Sequence, residues 1–149
     1  MTQLVLAQLN IAKMRYDYDA QEMQDFVANL DRINSLAEQS PGFVWRFTGD
    51  KPLEATVFGS DILVNFSTWA DVESLHHYVF NTAHVEIMRR RKEWFDRLDA
   101  HSVLWWHNNN TTPTLEQAKY RLELLKEKGA TADAFTFKKR FDKSSVAQA

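Results

Sequence analysis

From Leu4 to Ala12 the chain alternates: Leu4, Leu6, Gln8 and Asn10 fall on one side, Val5, Ala7, Leu9 and Ile11 on the other. A period of two predicts a strand with one apolar face and one mixed face. After a polar turn, Asp19 and Glu22 have the spacing of a capping box. Met23, Phe26, Leu30, Ile33 and Ala37 then recur every three or four residues, as on an amphipathic helix that Ser40-Pro41-Gly42 ends. Phe43 to Phe47 predicts a second strand, with Phe43, Trp45 and Phe47 opposite Val44 and Arg46. Residues 48–60 are a loop. Ile62 to Trp69 is a third strand, with Leu63, Asn65, Ser67 and Trp69 on one face and Ile62, Val64 and Phe66 on the other.

A second helical region starts near Asp71 and breaks around Phe80-Asn81-Thr82. It resumes with Asn81 as a cap and Ala83, Ile87, Trp94 and Leu98 as its apolar stripe. Val103 to His107 predicts a fourth strand. Thr114 and Gln117 form another capping box before a helix over 114–128, and Gly129 sits just past its end. Phe135 and Phe137 anchor a return segment, so one domain spans 1–137 and 138–149 is a mobile tail.

The order β-α-β-β-α-β predicts an α+β fold: a ferredoxin-like antiparallel sheet with two helices on one face and an extra C-terminal helix. The opposite face is then expected to carry Leu4, Leu6, Leu63 and Trp69 with an aromatic set from strands two and four. A bare apolar patch of more than a few hundred Å² is unusual on a monomer. Two copies joined through their open faces, a homodimer, would cover it; the C-terminal helix folding across the face is the alternative.

Composition narrows the function classes. The 149 residues hold no cysteine, which excludes disulfides, thiolate metal sites and a cysteine nucleophile. A net charge of −2 from 18 basic and 20 acidic side chains gives no field for nucleic acid or an anionic membrane. Arg89-Arg90-Arg91-Lys92 would spread around a helix, with Glu93 and Asp96 close by, as a solvated or ion-paired surface. The first residues lack the pattern of a signal peptide and no stretch approaches 18 apolar residues, so a cytoplasmic location is expected.

Candidate chemistry lies on the mixed strand faces. Gln8 and Asn10 beside Asn65, Ser67 and Trp69 place a few amides and a hydroxyl among large apolar groups, as in a small-molecule pocket. The same amides could instead satisfy one another across a dimer seam. His84, Met88, Arg91 and Phe95 recur at four, three and four, along one side of a helix. His84 there could act on a proton or hold a ligand, and Arg91 could fix a carboxylate bidentately. His76 and His77 point apart and predict no metal site. No zinc-protease motif, phosphate loop or serine elbow occurs.

Several segments resemble a bacterial family of unknown function, DUF3291: Leu-Asn-Ile-Ala (9–12), Asp-Arg-Ile-Asn-Ser-Leu-Ala-Glu (31–38), Ser-Pro-Gly-Phe-Val-Trp-Arg (40–46), Phe-Asn-Thr-Ala-His (80–84), Met-Arg-Arg-Arg-Lys-Glu-Trp-Phe (88–95), Leu-Trp-Trp (104–106) and Ala-Phe-Thr-Phe (134–137). The resemblance implies the dimeric α/β-barrel superfamily, beside the antibiotic-biosynthesis monooxygenases, but no particular reaction. Val-Phe-Asn-Thr-Ala-His (79–84) is also similar to the stretch of haem-degrading relatives that ends in their haem-ligating histidine, here His84. Those enzymes add a strand-one asparagine and a tryptophan about ten residues before the histidine. This chain has Asn10 but no such tryptophan.

Two functions are therefore expected. The first is binding of a small hydrophobic or aromatic ligand through Gln8, Ser67, Trp69, Met88 and Arg91. The second is a cofactor-independent monooxygenase or isomerase, with His84 as base or orienter and Asn10 and Asn65 holding an anionic oxygen. Haem binding through His84 is a third, and no metal is expected.

Overall fold

In a computed structural model, described over residues 3–48, 58–59, 61–82, 84–96, 98 and 101–145, the alternating N-terminal segment is the central strand. This strand, β1 (Leu4–Met14), pairs antiparallel with β3 (Ile62–Trp69) on one edge and β5 (Ser102–Asn108) on the other. The short β2 (Phe43–Arg46) lies outside β3. The order β2-β3-β1-β5 is that of a ferredoxin-like α+β sheet. Among the described residues five α-helices accompany it: α1 (Gln24–Gln39), α2 (Val72–Asn81), α3 (His84–Arg89), α4 (Arg91–Trp94) and α5 (Leu115–Lys128). None of the described helices is long and apolar enough to cross a membrane.

Parity along the strands follows the sequence, but the coverage of the faces is reversed. Leu6, Trp69, Leu104 and Trp106 pack under Ile33 and Ala37 of α1 and Leu75 and Tyr78 of α2. Leu4 and Leu63 are partly buried on this same side. The mixed face, expected to lie open, is therefore the one beneath the helices. The wholly apolar face (Ala7, Leu9, Ile11, with Phe66, Val103 and Trp105) meets Ala118 and Leu122 of α5 instead. Burying such surface is worth roughly 25 cal/mol per Å², and here the chain's own C-terminal helix collects it over β1 and β5. Trp45, Phe47, Ile62 and Val64, on the β2–β3 half, stay partly exposed.

Strand β2 departs from simple alternation. Phe43 pairs with Trp69 but Trp45 pairs with Thr68, so Val44 is a bulge. Phe43 thus meets the edge of Trp69 on the helix side at 5.4 Å, while Trp45 meets Phe66 on the far side at 5.2 Å. The expected grouping of Phe43 with Trp45 and Phe47 is corrected, and Arg46 joins the helix side.

The helices differ locally too. Asp19 caps nothing: a 3-10 turn, Gln21–Met23, precedes α1, and Ala20 stands before it without a side-chain cap. The single helix expected after residue 82 is instead α3, α4 and a two-residue strand, β4 (Phe95–Asp96). Phe95 and Asp96 pair with Met14 and Lys13, so ladder bonding takes over where the helix would have continued. Thr82, not Asn81, leads into α3, its Oγ1 accepting from the His84 N–H at 3.3 Å; Ala83 lies outside the described residues. Thr114 and Gln117 form the expected capping box, and the Gly129 N–H donates to Leu125 O at the end of α5. Phe135 bridges to Leu104 on the outer edge of β5. In the segment expected to be mobile, Phe141 O accepts from the Trp106 indole at 2.7 Å.

Gly42 turns the chain from α1 into β2 at φ 85, and a Cβ there would strike the Ser74 side chain on α2. Gly42→Ala should destabilise the fold by on the order of 1–3 kcal/mol, read as a lower urea midpoint at unchanged slope. An unchanged midpoint would contradict the turn geometry.

Candidate functional site

Under α1 and α2 the sheet presents two polar rows. Gln8 stands opposite Ser67 and Asn10 opposite Asn65. Gln8 and Ser67 are buried, so their polar atoms need partners. The indole N–H of Trp69 can only donate, and Ser67 Oγ accepts it at 2.9 Å. Gln8 Nε2 donates to the same Oγ at 2.8 Å and to Asn65 Oδ1 at 2.7 Å. Both Gln8 N–H groups are thereby used. Ser67 keeps its hydroxyl proton to give, and Asn65 keeps its amide N–H₂. The network thus turns donors toward the space above the sheet.

That space is two adjoining chambers. The larger, about 670 Å³, lies over the Asn10, Ala12, Leu63 and Asn65 end, with Phe26, Leu30 and Ile33 of α1 in its wall, and its lining continues to Phe47, Val64, Phe66 and Leu115 of the other core. The smaller, about 200 Å³, lies over Gln8, Ser67 and Trp69. Asn10, Asn34, Arg46, Asn65, His84, Met88 and Arg91 line both and so mark the junction. His84, Met88, Arg91 and Phe95 converge on the larger chamber as their spacing predicts, although they come from α3, α4 and β4 rather than one helix.

His84 is held in one tautomer. Its Nδ1 donates to Val79 O at 3.4 Å, and its ring lies 5.0 Å from that of Tyr78. Burial pushes its pKa below the usual histidine range, and the Val79 bond opposes the shift only in part. The ring is therefore neutral at pH 7, and Nε2 is the nitrogen left for a ligand. Tyr78 is the opposite case: burial lifts its phenol far above the tyrosine range, nearby Arg46 offsets this slightly, and its hydroxyl donates to Ile33 O at 3.1 Å. Tyr78 is a fixed, protonated wall.

Two guanidinium groups reach the junction. Arg46 Nε donates to Glu38 at 3.3 Å, which leaves both terminal nitrogens without a partner among the described residues. Arg91 makes no ion pair among the described residues, whereas its neighbour Arg90 is held by Asp25 at 2.9 Å and Glu93 at 2.8 Å. The basic run thus divides into one residue facing the chambers and one tied into surface pairs. His76 packs against Phe80, ring centroids 4.5 Å apart, and lines neither chamber.

All eight residues singled out from the sequence line one chamber or both. Trp69 is confined to the smaller one, with its N–H already engaged. Sequence reasoning missed Arg46, Asn34 and Tyr78. Asn34 had a signal, since it follows Leu30 by one turn on the apolar stripe of α1. Arg46 had none, because its facing depends on the bulge. For a haem, His84 Nε2 would be the free ligating atom. Ser74 stands ten residues earlier, its N–H tied to Asp71 at 2.8 Å, and no tryptophan takes that place. The haem-degrading arrangement does not fit here, and no step is derived through haem.

The family described as "Domain of unknown function (DUF3291)" matches residues 5–149. No curated protein matches the chain. Among solved structures, a conserved protein from Methanosarcina mazei Go1 is similar, with a TM-score of 0.52 at 13% identity, over 71% of this chain and 93% of that one. That likeness shows the fold. A protein of unknown function from Nitrosomonas europaea is similar at TM-score 0.49 and 14% identity, over 75% of this chain and 95% of that one. A candidate antibiotic biosynthesis monooxygenase from the same organism gives TM-score 0.46 and 11% identity, over 76% and 97%.

The lowered pKa of His84 links stability to pH. In the unfolded chain the ring protonates near the usual 6.5, while in the fold it protonates only at lower pH. The unfolded state therefore binds the extra proton first. The stability present above 6.5 declines as pH falls toward the folded value. His84→Gln should show a smaller drop in urea midpoint between pH 7 and pH 5 than the native chain, and an equal drop would contradict the buried neutral ring.

Proposed function

This chain belongs to the DUF3291 family, and we propose that it binds a small, largely apolar or aromatic molecule in the chambers between sheet and helices. The observation that carries this reading is the larger chamber. Its volume of about 670 Å³ falls within the range of small-molecule sites. Phe26, Leu30, Ile33, Leu63, Met88 and Phe95 supply apolar wall, and a few polar side chains converge at one end. Such a division orients a ligand: apolar surface supplies affinity and the polar end supplies direction. Met88, on α3, is half-buried and stands at the junction.

A neutral hydrophobic fluorophore, phenylnaphthylamine, should bind saturably with enhanced emission. Met88→Trp, which places an indole in the chamber, should weaken it by about tenfold. The absence of saturable binding, or equal affinity in the variant, would remove the reading.

A second reading rests on His84. A neutral imidazole with Nε2 free, beside Asn10 and Asn65, has what a base needs, and the amides could hold an anionic oxygen formed on the ligand. This supports cofactor-independent oxygenation or isomerisation of an aromatic compound. Oxygen uptake with quinols or anthrones, reduced about 10²–10⁴-fold in His84→Ala, would carry it. No uptake with any of them, and no isomerised product by chromatography, leaves binding as the function.

A further inference from the structure

We infer that the junction between the chambers is an oxyanion site, and that the ligand is an aromatic carboxylate with its ring in the larger chamber and its carboxylate between Asn65, Arg46 and Arg91. The inference rests on the binding function proposed above and adds the chemical class of the ligand.

The direction of the hydrogen bonds carries it. Trp69 forces Ser67 Oγ to accept, and Gln8 uses both its N–H groups on Ser67 and Asn65. Asn65 Oδ1 is thereby engaged, and both N–H donors of its amide remain unpaired among the described residues, on a side chain that lines both chambers. Arg46 and Arg91 add donors of full positive charge at the same place. Arg46 reaches it because the Val44 bulge changes its face, and its bond to Glu38 uses only Nε. Arg91 is free of ion pairs among the described residues. Forked guanidinium groups match the two oxygens of a carboxylate. The acidic side chains lining the space, Asp31 and Glu116, are exposed and line only the larger chamber, not the junction.

His84 sets a complementary demand. With Nδ1 committed to Val79, its Nε2 can only accept, which suits a hydroxyl next to the carboxylate. Asn10, whose side chain has no hydrogen bond among the described residues, can turn either its donor or its acceptor to the ligand.

The test compares ortho-hydroxynaphthoate with its primary amide, which keeps ring and hydroxyl and lacks only the charge, by calorimetric titration. The native chain should prefer the carboxylate by about tenfold or more. Asn65→Asp puts a negative charge where the donor was, and Arg91→Met removes a guanidinium. Both side chains are exposed, so the fold should hold, as checked by circular dichroism. Each change should bring the ratio of the two affinities toward one or reverse it. If the native chain binds the amide as tightly as the carboxylate, or neither substitution changes the ratio, the oxyanion site is wrong while the pocket stands. If neither probe nor the neutral fluorophore binds, the pocket reading falls and this inference with it.

Discussion

A tryptophan N–H that can only donate, buried beneath two helices, anchors the polar row of the candidate site. Trp69 must find an acceptor, and the nearest on its own strand face is Ser67 Oγ. The buried amide of Gln8 turns its nitrogen to the same oxygen and to Asn65. Leaving such a group unpaired would cost about 1–3 kcal/mol. The need to satisfy buried polar atoms thus propagates along one sheet face until it reaches Asn65, where it becomes a donor offered to a ligand.

The apolar framework decides where that offer is made. Two cores sandwich the sheet: one under α1 and α2, the other under α5. On the helix side, large rings (Trp69, Tyr78, Trp106) fill one end, and smaller or polar side chains (Asn10, Ala12, Asn65) occupy the other. The chambers are the consequence of that gradient in side-chain volume. The break between α3 and α4 serves the same end. It lets Arg90 stack over Trp94 at 4.7 Å and pair outward with Asp25, while the next residue, Arg91, faces inward.

Where the sequence reading held, it rested on short-range geometry. Gln8, Asn10, Asn65, Ser67 and Trp69 share a face because alternation is a property of any strand. The facing pairs Gln8–Ser67 and Asn10–Asn65 added only the register of β1 on β3. His84, Met88, Arg91 and Phe95 converge although the helix between them is broken, since two short helical pieces and a bend keep nearly the same side. Asn34 was legible in principle, from its place one turn after Leu30. Arg46 was not, because a bulge is a choice made jointly by β2 and β3, with edge contacts to Trp69 and Phe66 as its reward.

The amino-acid order by itself determined the ferredoxin-like topology, the cap of α5 and the sets of side chains that share a face of β1, β3 and β5. Those depend on periodicity and on interactions within a few residues. Only the tertiary structure decided which face of the sheet the helices cover, that α5 lies on the other, and which way each amide in the polar row points. A pattern of alternation is symmetrical between the two sides of a sheet. It says who stands together, and the packing partners, distant in sequence, say what stands over them.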